Sequence, residues 1–173
     1  MSELFSIQLQ NRQQQGRDGI WLDLPTTTEQ VQAALRQIGI SSDNPQGLFI
    51  SGYFAEEEKR FAIPYNMVLA SNVDELNFLA SRLETLSTGE RAELNAALQA
   101  PQSELFSIGR ITDFPENVDY YVHLPDVHGP AQLGDYYLNR SGMVNMPEEW
   151  KGGIDTAQFG RYVAQQEQGV FTA

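Results

Sequence analysis

The sequence contains no cysteine and no long apolar run. Without cysteine the chain can form neither a disulfide framework nor a thiolate metal site, and it has no thiol nucleophile. No apolar stretch approaches the ~18 residues that would suggest a membrane span. The first residues, Met1 to Phe5, lack the basic and apolar regions of a secretory signal. We therefore expect a soluble protein of the reducing cytoplasm.

The motifs of the common enzyme classes are also missing. The sequence has no phosphate-binding loop and no GxGxxG, GxSxG or HExxH pattern. His123 and His128 flank Asp126 and could bind zinc, but spacing fixes no third protein ligand for a tetrahedral site. The acidic runs 56–58 and 148–149 are more typical of solvated surface, because a catalytic pair of carboxylates needs two different environments. The sequence thus predicts a protein that is not an enzyme and holds neither metal nor cofactor.

Basic residues are scarce, with 11 Lys and Arg against 23 Asp and Glu and a net charge of −12. Residues 1–40 carry 4 acids and 3 bases, residues 41–100 carry 9 and 4, and residues 101–173 carry 10 and 4. Such a chain is repelled by nucleic acid and by anionic membranes, and it is attracted to basic surfaces. No basic patch is interleaved with aromatic residues, so an ordinary nucleic-acid interface is excluded. The acidity indicates either a basic binding partner or simple solubility.

The N-terminal part has the pattern of a small α+β unit. Period-two alternation and flanking turn residues predict strands at residues 4–9, 19–24 and 47–54. Between the second and third strands, Thr26 and Glu29 have the spacing of a capping box at the start of a helix. Apolar residues then recur at helical spacing until Gly39, which ends this helix.

The middle of the chain is helical by pattern. Asn72 can cap a helix in which Leu76 and Leu83 belong to the apolar stripe, and Thr88 opens a second helix that Pro101 ends.

The last part mixes helical and strand patterns. We predict helices at residues 105–111, at 131–139 and after the capping residue Asp155, and strands at 118–124 and 169–172. The final helix is expected to bury Phe159, Tyr162 and Val163. The fold class is therefore α+β, with small antiparallel-sheet-plus-helix units at residues 1–62 and 102–173 flanking a helical middle segment at 63–101.

Several of these segments, in this order, resemble antirestriction proteins of the ArdA type. Residues 20–25 (IWLDLP) before a helix with Val31 look like the start of that family, and residues 72–77 (NVDELN) and 120–122 (YYV) are similar to later elements. The strongest similarity is in residues 154–162 (IDTAQFGRY), followed by 169–171 (GVF). They resemble the family's terminal ID-x-x-x-FGRD helix and its closing G-x-F strand. The chain departs from this pattern at Tyr162, which replaces aspartate, and it is less acidic than the family's members.

The resemblance implies an elongated, three-part homodimer that imitates bent B-form DNA. It would occupy the DNA-binding groove of type I restriction–modification enzymes, protecting incoming mobile DNA without binding nucleic acid itself. Two chains of net charge −12 match the charge of only about 12 base pairs. The implied phosphate substitutes are Glu56, Glu57, Glu75, Glu84, Glu90, Glu93, Glu104, Asp113, Glu116, Asp119, Asp126, Asp135, Glu148 and Glu149. The implied dimer contacts are Tyr136, Tyr137, Phe159, Val170 and Phe171.

A second hypothesis is an acidic protein–protein adaptor on the same fold, with a different basic partner. Two rows of carboxylates on one convex face would favour the DNA mimic, whereas scattered acids would favour the adaptor.

Overall fold

The structure is a computed structural model that describes residues 3–14, 18–41, 43–100, 103–117 and 121–171. The chain divides into two compact units. The first comprises residues 1–98 and 103–121, and the second comprises residues 99–102 and 122–173. The described residues form helices and one antiparallel sheet, which confirms the predicted α+β class. The division into three segments stays a prediction.

The sheet lies in the first unit and confirms the three strands predicted there. Strands β1 (Phe5–Asn11), β2 (Ile20–Leu24) and β3 (Leu48–Phe54) are antiparallel, in the order β2-β1-β3. Alternation along β1 places Phe5, Ile7 and Leu9 on one face, where all three are buried. The sheet therefore contributes one apolar face to the core.

Helix α1 (Thr28–Gln37) begins with a capping box, but one residue later than the sequence predicts. Thr27 accepts a hydrogen bond from the Gln30 backbone N–H, and the Gln30 side chain accepts one from the Thr27 N–H. Thr26 cannot serve as the cap because its backbone is held elsewhere. Its N–H donates to Asn77 Oδ1 at 2.7 Å, and its carbonyl accepts from Asn77 Nδ2 at 3.0 Å.

The remaining helices of the first unit complete one continuous core with the sheet. They are α2 (Tyr65–Leu69), α3 (Val73–Glu84), α4 (Thr88–Gln99), α5 (Ile108–Thr112) and α6 (Phe114–Asn117). Asn72 caps α3 as predicted, accepting from the Glu75 N–H at 2.8 Å. The helix predicted from residue 105 begins only at Ile108, because Ser107 takes the capping position and accepts from the Arg110 N–H.

The second unit is built around a pair of packed helices. Its elements are α7 (Pro130–Asp135), continued by a π-helical turn (Tyr136–Arg140), α8 (Glu148–Lys151) and α9 (Thr156–Gln166). Asp155 caps α9 as predicted, accepting from the backbone N–H groups of Ala157 and Gln158. Helices α7 and α9 approach closely at Gly134 and Gly160, the two glycines that face the opposite backbone.

The strand predictions for the last part of the chain are wrong, as far as it is described. Residues 121–124 and 169–171 are not in strands, while 118–120 and 172 lie outside the described residues. A strand needs a partner edge, and residues 121–171 provide none. The strand-like pattern does not match burial there, because the Tyr121 ring packs against Phe114, with ring centroids 5.2 Å apart, whereas Val122 is exposed.

Tyr162, expected on the buried side of α9, is also exposed. Helix α9 meets α7 through Gly160, and of its three predicted apolar positions only Val163 is buried.

No helix in the described ranges is both long and apolar enough to cross a membrane.

Candidate partner-binding surface

The acidic side chains all reach solvent wherever the structure describes them. Of the 23 acids, only Asp119 lies outside the described residues, and none of the other side chains is buried. Burial of an unpaired carboxylate is costly, so the amphipathic helices and loops carry these groups on their outer faces. The first unit holds 17 acids and 8 bases, and the second holds 6 and 3. The negative charge is therefore a surface property, concentrated in the first unit.

The predicted carboxylates are spread over many elements of both units. Glu56 and Glu57 lie at a short 3-10 turn after β3, Glu75 and Glu84 on α3, Glu90 and Glu93 on α4, Glu104, Asp113 and Glu116 around α5 and α6, Asp126 in a loop, Asp135 at the end of α7, and Glu148 and Glu149 in the first turn of α8. Their arrangement as phosphate substitutes stays a prediction.

Five of the predicted carboxylates form ion pairs within the chain. These pairs are Lys59–Glu56 (2.8 Å), Arg82–Glu116 (2.8 Å), Arg110–Glu104 (3.9 Å), Arg140–Asp135 (3.6 Å) and Lys151–Glu148 (2.6 Å). A paired carboxylate already has a cation at its oxygens, so it is less available to a partner's Lys or Arg. Two of the pairs have i,i+3 spacing and are visible in the sequence, whereas Arg82–Glu116 depends on the fold.

A second group of predicted carboxylates has no ion pair among the described residues. Its members are Glu57, Glu75, Glu93, Asp113, Asp126 and Glu149. These side chains are the better candidates for direct contact with a basic partner.

Glu90 serves a structural purpose at the start of α4. Its Oε2 accepts hydrogen bonds from the Ser87 hydroxyl at 2.6 Å and from the Ser87 backbone N–H at 2.8 Å. The Ser87 hydroxyl bond and then the backbone bond lower the pKa of Glu90 below its ordinary value. The carboxylate is therefore ionised at neutral pH, but its orientation is fixed by the helix start.

The histidines provide no metal centre within the described part of the chain. His128 is exposed and His123 is half-buried, and no group of three or more His, Asp or Glu side chains there could hold a metal ion.

The predicted dimer contacts are partly accessible. Tyr136 and Tyr137 pack edge to face with ring centroids 5.6 Å apart, and both are half-buried, as is Phe159. Burial, followed by the nearby Glu167 carboxylate, raises the pKa of Tyr137. Val170 and Phe171 are exposed at the end of the described chain.

Sequence reasoning did not single out several exposed aromatic side chains, among them Phe78, Phe106 and Trp150. For Phe78 a signal was present, because it falls outside the spacing of the buried residues Leu76 and Leu79 on α3.

Comparison with known proteins gives one family. A family model described as antirestriction protein (ArdA) matches residues 15–173, which is nearly the whole chain and includes residues of both units. No curated protein matches the chain.

Proposed function

The chain belongs to the ArdA family of antirestriction proteins, and from this premise we propose that it inhibits type I restriction–modification enzymes by occupying their DNA-binding groove. The family match over residues 15–173 carries this proposal. The protein would act as a DNA mimic that protects incoming mobile DNA, with no reaction catalysed.

The exposure of the carboxylates supports the mimicry. A groove that binds duplex DNA is lined by Lys and Arg, because most of its affinity comes from phosphate contacts. The described carboxylates all reach solvent, so they are accessible to such a groove. Acids outnumber bases by 17 to 8 in the first unit, which makes it the stronger candidate for the contact.

We expect cells that carry a type I system to accept unmodified phage or plasmid DNA when they express this protein. The efficiency of plating or transformation measures the effect, and an isogenic strain without the restriction system is the control. If incoming DNA is cut equally well with and without the protein, the mimic proposal is contradicted. That result, with the protein folded and abundant, would favour the adaptor alternative.

We also propose a homodimer formed through the second unit. The described residues of this unit bury only three large apolar side chains, Leu133, Leu138 and Val163. Its exposed apolar side chains are Val122, Met143, Trp150, Tyr162, Val170 and Phe171. A unit of this size buries a smaller fraction of its surface than a larger domain does, so covering such side chains by a second copy would stabilise it. Tyr136, Tyr137, Phe159, Val170 and Phe171 are the proposed contacts.

Sedimentation at tens of micromolar is expected to give twice the 19.4 kDa chain mass. The double variant Val170→Asp/Phe171→Asp should sediment as a monomer, because two new carboxylates at the contact would be desolvated without a partner. Phe54→Asp, at an exposed position in the first unit, is the matched control and should remain dimeric. A monomeric unaltered protein would contradict the proposal.

A further inference from the structure

Two phenylalanine rings lie exposed in the acidic first unit. Phe78, on α3, has 60% of its surface exposed, and Phe106, just before α5, has 68%. Contact of a free phenyl ring with water is unfavourable, and neither ring contributes to the buried core.

Charged groups flank Phe78 on both sides. Asp74 and Glu75 lie one turn earlier on α3, and Arg82 lies one turn later, at the spacing that places helical side chains on the same face. The Arg82 guanidinium donates to Glu116 Oε1 at 2.8 Å, so its positive charge is offset within the chain.

Phe106 has a similar environment built from other elements. The Arg110 guanidinium lies 4.8 Å from the centre of the Phe106 ring, in a cation–π contact. Arg110 also pairs with Glu104, with 3.9 Å between Nη1 and Oε2. Both exposed rings are therefore neighbours of an arginine whose charge is offset by a glutamate.

We propose that Phe78 and Phe106 are apolar anchors that insert into pockets of the basic groove bound by this surface. The inference rests on the proposed function and names the residues that provide its short-range affinity. Carboxylate attraction alone is screened by salt, whereas burial of a phenyl ring is not. Aromatic side chains, including Phe, are enriched in the buried cores of protein interfaces, where surrounding contacts exclude water.

Charge complementarity identifies the occupant as a basic protein surface. The first unit carries 17 acids against 8 bases, and the two arginines nearest the rings are paired. A basic groove can therefore approach both rings without meeting an unpaired cation at Arg82 or Arg110. An acidic protein surface or an anionic membrane would be repelled.

The test is displacement of a fluorescent duplex, carrying the recognition sequence, from a purified type I methyltransferase over a series of salt concentrations. We expect Phe78→Ala/Phe106→Ala to weaken displacement about tenfold at every salt concentration, with an unchanged salt slope. Asp74→Asn/Glu75→Gln should instead make the slope shallower, because it removes charge and retains the rings. Phe54→Ala removes an exposed ring that lies on the sheet and is the matched control, with no expected effect.

The outcomes separate this inference from the proposed function. If the unaltered protein fails to displace the duplex even at low salt, the proposed function is contradicted, and the anchor proposal fails with it. If the unaltered protein displaces the duplex and the folded double alanine variant does so equally well, only the anchor proposal is contradicted. An equal loss in the Phe54→Ala control would also overturn them, since any exposed ring would then have the same effect.

Discussion

Replacing Gly134 or Gly160 with alanine is expected to unfold the α7–α9 pair, whereas Gly152→Ala should leave it intact. A Cβ at Gly134 would clash with the carbonyl of Thr156, and it would lie 2.8 Å from the Thr156 carbonyl carbon. A Cβ at Gly160 would clash with the Pro130 carbonyl in the same way and would lie 2.8 Å from the Gly134 nitrogen. Each glycine thus faces the backbone of the opposite helix.

The free-energy cost of the clash exceeds the stabilisation that the higher helix propensity of alanine provides. Alanine in a helix is favoured over glycine by about 1 kcal/mol. Overpacking typically costs about 1–3 kcal/mol even where side chains can move aside. Here the obstructing atoms are backbone, so relief requires the helices to separate and expose Leu133, Leu138 and Val163. We expect a loss of about 3 kcal/mol or more in the unfolding free energy of this unit.

Hydrogen exchange followed by mass spectrometry locates the effect. Peptides from α7 and α9 should lose protection in Gly134→Ala and Gly160→Ala, while peptides from the sheet should retain it. A Cβ at Gly152 would meet no obstructing atom within 4 Å, and φ there is −63°, so alanine fits. Unchanged protection of α7 and α9 in both variants would show that the helices do not approach this closely.

The glycine contact also explains part of the sequence resemblance in physical terms. Phe159, Gly160 and Arg161 belong to the strongest family-like segment, residues 154–162. Helical periodicity alone predicts a helix there and assigns the glycine no purpose, because its reason lies in a helix earlier in the chain. The structure supplies that reason in the approach of α7.

Much of the fold could be predicted because local signals agree with the tertiary packing. The β1 alternation and the Leu76–Leu83 stripe of α3 each have one buried face, so their periodicity is strong. Prediction failed where a non-local contact decides the outcome. Thr26 loses the capping position to Thr27 because Asn77, which lies on another helix, holds its backbone. The strand predicted at 118–124 had a suitable pattern, but residues 121–124 pair with no strand of the described chain.

The candidate surface was predictable only in outline. The sequence alone predicts that the acids lie outside the core, because carboxylates are rarely buried. The sequence cannot show that Arg82 reaches Glu116, or that Arg110 stacks on Phe106 beside Glu104. These interactions divide apparently equivalent glutamates into paired and unpaired groups.

The division into paired and unpaired carboxylates allows a strong test of mimicry. The test is a variant in which five unpaired carboxylates are neutralised. The substitutions are Glu57→Gln, Glu75→Gln, Glu93→Gln, Asp126→Asn and Glu149→Gln. Exposed charge pairs contribute roughly 0.2–1 kcal/mol each, so single changes should have small effects and the five together should weaken duplex displacement about a hundredfold. The salt dependence should become shallower in proportion to the number of carboxylates that the enzyme no longer meets. Hydrogen exchange that matches the unaltered protein would show that the variant is folded.

A matched pair of triple variants separates direct contact from long-range attraction. Glu57→Gln/Asp126→Asn/Glu149→Gln removes unpaired carboxylates, and Glu56→Gln/Asp135→Asn/Glu148→Gln removes paired ones. Each variant changes the net charge from −12 to −9 and draws its residues from the same regions of the chain. A long-range field depends on net charge, so both variants should slow association equally.

Only loss of the unpaired group should also speed dissociation, because these oxygens are open to a partner's Lys and Arg, as phosphate oxygens are. Stopped-flow association and chase experiments on a type I methyltransferase measure the two rates. Equal dissociation rates in the two variants would mean that the protein attracts the enzyme by its charge alone. In that case the carboxylates would not stand in for individual phosphates, and mimicry through direct carboxylate contact would have to be abandoned.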